Sequence, residues 1–115
     1  MAYHMLICND SPDDDLFLER YLGSATSIDF YWESVGRKLC LPIISAITER
    51  ADSEEGFVLF AASLIAFKNE MEVFERYWAD QSHNTPLPDG FLQGVSEIMD
   101  GINNAINKNL TLMIG

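Results

Sequence analysis

The residues able to do chemistry in this chain are few, and their types favour charge recognition over bond making. Two acidic runs stand out, Asp13-Asp14-Asp15 and Asp52-Ser53-Glu54-Glu55. Such a run can supply oxygen ligands to a hard cation, negative charge to a helix start, or a docking patch for a cationic partner. A calcium loop of the EF-hand type needs oxygen ligands on alternate positions, with Gly sixth and Glu twelfth, and that register fails from Asn9, Asp10 and Asp13. A solvated turn or helix start is the expectation, with no metal and no cofactor. For nucleophilic catalysis there are Cys8, Cys40, the serines and two histidines, His4 and His83, and no spacing ties either histidine to a nucleophile. Carboxylate pairs for acid–base work meet in space, and nothing in the sequence selects one. No catalytic residue is assigned, and the chain reads as a non-enzymatic protein that binds another macromolecule.

A third group combines rings with charge. Phe30, Tyr31 and Trp32 precede Glu33. Three successive rings wrap around a helix and cannot all face one core. Tyr31, Trp32 and Glu33 are therefore candidate anchors for a cationic partner, with partial burial against a sheet as the competing outcome.

The balance of charge points the same way. Against 18 Asp and Glu stand 7 Lys and Arg, a net charge of -11 on 115 residues. That creates a negative field reaching about 8–10 Å into solution at ordinary ionic strength. Nucleic acid and anionic membrane are disfavoured as direct partners, and a basic protein is the natural counterpart. The bland alternative is that acidity only maintains solubility. With 48% hydrophobic residues the chain is globular, and its length fits one domain over residues 1–115 with one core. No signal peptide or run of about 18 apolar residues is present, so a cytosolic location is expected. Cys8 and Cys40 are distant, with no CxxC, and read as buried reduced thiols.

The elements that must position these groups are legible in outline. Tyr3 to Cys8 reads as a strand buried on both faces, closed by Asn9-Asp10-Ser11-Pro12. From Ser11 to Gly23 a helix start (Ser11, Pro12, the aspartates, with Gly23 as stop) competes with a hairpin whose second strand is Leu16 to Leu22, and local chemistry slightly favours the helix. Ser27 opens a helix with Ile28, Tyr31, Trp32 and Val35 on one face. Pro42 forces a kink near Cys40, with a second helix to about Arg50. After the second acidic run, Phe57, Phe60, Leu64, Phe67, Met71, Phe74 and Trp78 predict one long amphipathic helix packed within the molecule, supported by a Glu72–Arg76 pair. Gln81 to Gly90 is a loop. Leu92 to Ile106 forms the next helix, with Gly94 and Gly101 on one side for close approach of a neighbour, and Leu110 to Ile114 forms a final strand. Pairing the terminal strands gives an α+β domain, with four or five helices on a small sheet.

Two family resemblances follow from these residues. The opening MLICNDSPDDDLFLERYL, Met5 to Leu22, looks like the first strand and helix of a response-regulator receiver domain, whose acidic pair binds magnesium. The match stops there, because Gly56 to Phe67 holds no phosphoryl-accepting aspartate at the end of an apolar strand. The layout of most of the chain resembles bacterial immunity proteins of polymorphic and contact-dependent growth inhibition toxins. The shared features are an N-terminal strand, the Ile28-Asp29-Phe30-Tyr31-Trp32 helix opening, the long Leu64 to Trp78 helix and the helix-strand ending Asn109 to Gly115, which is also similar to that of barstar-type inhibitors. This resemblance implies a cytoplasmic inhibitor, monomeric or weakly dimeric, that caps the active site or substrate groove of a cognate toxin, often a basic nuclease. Its expected contact surface draws on Asp13, Asp14, Asp15, Asp52, Glu54 and Glu55, with Tyr31, Trp32 and Glu33 as anchors. A receiver-like signalling module and a small interaction subunit are the alternatives.

Overall fold

Backbone polar groups on a buried strand must be paired on both edges, and this requirement organises the molecule. The computed structural model describes residues 2–8, 16–81, 84 and 86–115. Strand β1 (Ala2–Cys8) lies between two antiparallel partners, β2 (Leu16–Ser24) on one edge and β4 (Thr111–Ile114) on the other. A short edge strand, β3 (Phe57–Leu59), completes the order β2-β1-β4-β3. The N- and C-terminal strands thus pair as their sequences predict, and His4 and Gly115 extend the ladder through two backbone bonds of 2.8 and 3.0 Å.

Two elements differ from the local reading. The segment Leu16–Ser24 is a strand, not the slightly favoured helix. A helix-start signal contributes only about 1 kcal/mol and a short helix is marginal in water, whereas leaving one edge of β1 open would strand a row of donors and acceptors. The strand–helix opening implied by the receiver resemblance is accordingly not formed. The long helix also starts later than the Phe57 periodicity suggests. Phe57 and Leu59 are buried and Val58 between them is exposed, the alternation of a strand that pairs with β4. Phe60 is 61% exposed, and Ala61 takes a left-handed backbone (φ 51°) that turns the chain into the helix.

The helices lie on one face of the sheet. Residues 25–38 are continuous helix, α-helical at α1 (Ala25–Ile28) and α2 (Ser34–Lys38) with a π-helical stretch at Asp29–Glu33 between them. Ser24, rather than Ser27, is the N-cap, its hydroxyl accepting from the Ser27 N–H. The run stops in a Schellman turn. The Leu41 N–H bonds the Gly36 carbonyl (2.7 Å) and the Cys40 N–H that of Arg37 (3.5 Å), with Cys40 left-handed at φ 58° where glycine is usual. The Cys40 thiol is therefore exposed and not buried as expected, while the Cys8 side chain is outside the described residues. The chain thus breaks at Cys40 as its sequence predicts, while the restart falls slightly beyond Pro42, a 3-10 turn (Ile44–Ala46) leading into α3 (Ile47–Ala51).

Helices α4 (Ala62–Gln81) and α5 (Phe91–Lys108) form the bulk of the layer. Leu64, Phe67, Met71, Phe74 and Trp78 of α4 enter one core with Val95, Ile98, Ile102 and Ala105 of α5 and with Met5, Ile7, Leu112 and Ile114 of the sheet. Trp32 stacks on Phe74 at 4.6 Å between ring centroids. Asn109 ends α5 in the same left-handed way as Cys40, with Leu110 N–H bonded to Ala105. The result is an α+β domain with a Cα radius of gyration of 13.7 Å, near the roughly 13 Å of a packed chain of about this length.

Candidate functional site

Three places collect the chemistry-bearing side chains. The first is the acidic loop between α3 and β3, which exposes Asp52, Glu54 and Glu55. Its shape is set locally. The Ser53 hydroxyl donates to the Arg50 carbonyl (2.6 Å) and accepts from Gly56 N–H (3.2 Å), and Gly56 turns at φ 72°. One tie reaches across the fold, where the phenol of buried Tyr3 donates to both Asp52 carboxylate oxygens at 2.9 and 3.0 Å. That bond to a carboxylate, followed by desolvation and the negative charges of Asp52 and Glu33, holds the Tyr3 phenol above its ordinary value of 10.0. The run Asp13-Asp14-Asp15 is outside the described residues. Its flanking strand ends, Cys8 and Leu16, are at the opposite end of β1 from Tyr3, about 17 Å away at the usual strand rise.

The second place is the π-helical stretch, where the structure separates the predicted anchors. Trp32 is 3% exposed and Glu33 is 5% exposed, so neither presents a surface to a partner. Glu33 instead accepts from the Thr48 N–H (3.1 Å) and hydroxyl (2.9 and 3.0 Å), which caps α3 from the neighbouring helix. Of the three rings, Phe30 is the exposed one and Tyr31 is half-buried, its carbonyl accepting from the Trp78 indole at 3.0 Å. The reason is phase. Five residues in the π stretch turn the helix through one i→i+5 step, closed by Ser34 N–H on the Asp29 carbonyl, and Trp32 and Glu33 rotate together toward the interior.

The third place is a cleft of about 400 Å³ between β2, the π stretch and the N-terminus of α5, lined among others by Arg20, Tyr31, Trp32, Asp89, Phe91 and Gly94. Arg20 forms an ion pair with Glu97, its guanidinium lying over Gly94. The close approach expected at the α5 glycines is therefore made at Gly94 by a side chain. Glu72 pairs with Lys68 at 3.7 Å, not with Arg76 as its spacing suggests. A second carboxylate, Glu70, is drawn into the interior by the apolar stripe of α4 and accepts from Ile43 N–H (3.0 Å) and Ile44 N–H (2.9 Å). Among the described residues no three His, Cys, Asp or Glu side chains gather where a metal ion could be held, and no helix is long and apolar enough to cross a membrane.

Sequence reading missed the outward face of the sheet. In β1 the residues Tyr3, Met5 and Ile7 are buried, while His4 and Leu6 between them are half-buried on the other side, so the strand is not buried on both faces. The signal was present as apolar residues at both parities of Tyr3 to Cys8 and again in Leu112-Met113-Ile114. The chain matches no protein-family model, no curated protein and no solved structure.

Proposed function

We propose that this protein is a cytoplasmic immunity protein that binds a cognate bacterial toxin domain, a basic nuclease, and blocks its active site or substrate groove. The observation that carries the reading is the placement of charge. The chain has a net charge of -11, and Asp52, Glu54 and Glu55 project from one short loop whose only basic neighbour in sequence, Arg50, lies over the Phe57 ring at 4.9 Å. A dense array of surface carboxylates imitates the phosphate backbone that a nuclease groove is built to accept, and complementary charge raises association toward about 10⁸–10⁹ M⁻¹s⁻¹ at low salt. Fast capture is what an inhibitor of a lethal enzyme needs. The contact residues proposed are Asp52, Glu54 and Glu55, with Tyr31 as a half-buried aromatic neighbour and Asp13, Asp14 and Asp15 as a second acidic group. Trp32 and Glu33 act inside the fold.

The test is coexpression with the C-terminal domain of the protein encoded immediately upstream. Growth of cells expressing that domain should be restored by this chain, and the two should co-elute as an equimolar complex. A domain that is harmless by itself, or that kills equally in the presence of this chain and does not bind it, would refute the reading.

A further inference from the structure

An antiparallel sheet covered on one side normally alternates apolar residues inward with polar residues outward. This sheet departs from that rule. Register places Glu19 of β2, Leu6 of β1, Met113 of β4 and Val58 of β3 in one row across its outward face, so three of the four strands contribute an apolar side chain. A second row holds Tyr21 beside His4, with ring centroids 5.2 Å apart. Tyr21 is 60% exposed, Met113 37% and Val58 36%, and Leu6 is half-buried without packing against the core. Among the described residues no helix covers this face. Apolar residues held outward on several strands mark a contact surface, since a solvated sheet gains nothing from them.

We infer that this outward face, centred on Leu6, Met113, Val58 and Tyr21, is the apolar centre of the contact with the basic toxin domain; the inference rests on the immunity reading and gives it a docking surface. Charge selects the occupant. None of the described outward-facing residues is Lys or Arg, Glu19 lies at the β2 edge, and Asp52, Glu54 and Glu55 lead into β3 at the end of the sheet where Tyr21 and His4 lie. A second copy would bring two chains of net charge -11 together across this face, whereas a basic domain meets a negative rim. Size agrees with a contact extending onto that rim. Four strands about 4.8 Å apart, of 7, 9, 3 and 4 residues, present roughly 400 Å², against about 800 Å² per partner in a standard interface. The sheet then forms the dry centre and the acidic loop the polar border, the usual arrangement of interfaces.

The experiment measures binding kinetics and growth protection with the toxin domain encoded immediately upstream, using the full chain. The double variant Tyr21→Ala/Met113→Ser should raise the dissociation rate about 30-fold or more and change association by less than about threefold, as loss of a central anchor does. Ile65→Ser and Val73→Ser, exposed apolar positions on α4, should leave both rates within about threefold. Radical footprinting of the wild-type complex gives a readout independent of any variant, with Met113 and Tyr21 losing reactivity on binding. Should wild type protect and bind while the double variant matches it, or Met113 and Tyr21 stay equally reactive, the sheet face is overturned and the immunity reading stands. A wild type that neither binds nor protects removes both. A dimer of this chain alone that the double variant dissolves assigns the face to a second copy and overturns the inference.

Discussion

Glu70→Ala is expected to destabilise the fold by about 3–5 kcal/mol, although it removes one negative charge from a molecule with a large excess of them. Glu70 is 9% exposed, and its carboxylate receives the N–H groups of Ile43 at 3.0 and 3.1 Å and of Ile44 at 2.9 Å. Those donors open the turn after Pro42, where no residue four positions back can satisfy them. The Ile44 bond is buried and the Ile43 bond partly so. An orphaned buried donor costs about 1–3 kcal/mol, so the pair contributes roughly 2–4, and losing the packed Cγ methylene adds about 1. Glu70→Gln should cost only about 1–1.5 kcal/mol, because one amide oxygen can accept both N–H groups and only the charge assistance is lost. Glu70→Leu should fall between them, keeping the packed stem while orphaning both donors. The assay is urea unfolding followed by the fluorescence of Trp32 and Trp78, with an unchanged slope showing that only stability moved. In thermal melts each kcal/mol should appear as about 4 °C. Equal losses for Ala and Gln, or an Ala loss below about 1 kcal/mol, would refute the argument that the carboxylate acts as an acceptor inside the fold.

The remaining predictions separate surface from interior. Glu54→Lys/Glu55→Lys should slow association with a basic toxin domain about tenfold at low salt and flatten its salt dependence; an unchanged rate and slope would take the loop out of the contact. Tyr3 titrates above its ordinary value in the folded chain because it donates to Asp52, so its contribution is complete below about pH 10 and is lost as pH rises through the raised folded value. The wild-type urea midpoint should therefore fall more steeply than that of Tyr3→Phe between pH 9 and pH 11, and parallel curves would contradict the bond. Gly36→Ala and Gly94→Ala should have opposite signs. A Cβ at Gly36 would lie 2.7 Å from the Ser45 nitrogen and 3.0 Å from its Cα, backbone that cannot yield without about 1–3 kcal/mol, whereas at Gly94 it meets the movable Arg20 guanidinium at 3.3 Å and gains up to about 1 kcal/mol of helix propensity. Paired thermal melts read both, and a loss at Gly94 would mean that the Arg20–Glu97 pair is rigid.

Sequence by itself determined the features that repeat within a few residues. The steps of three and four from Leu64 to Trp78 and from Leu92 to Ile106 specify α4 and α5, the Pro and Gly signals delimit the loop before Gly90, and Leu110 to Ile114 alternates as a strand. The acidic loop Asp52 to Glu55 was also visible, since exposed charge follows from composition. What only tertiary structure decided depends on partners distant in the chain. Leu16–Ser24 and Phe57–Leu59 are strands because the open edges of β1 and β4 need hydrogen bonds, a demand that no local window contains. Glu33 reads as a surface anchor and nothing in the sequence singles out Glu70, yet distant N–H groups of Thr48, Ile43 and Ile44 give both carboxylates acceptor work in the interior. The apolar outward face of the sheet likewise arises when Leu6, Met113 and Val58 are brought into one row, because strand register, which sets that row, is a property of pairing and not of any one segment.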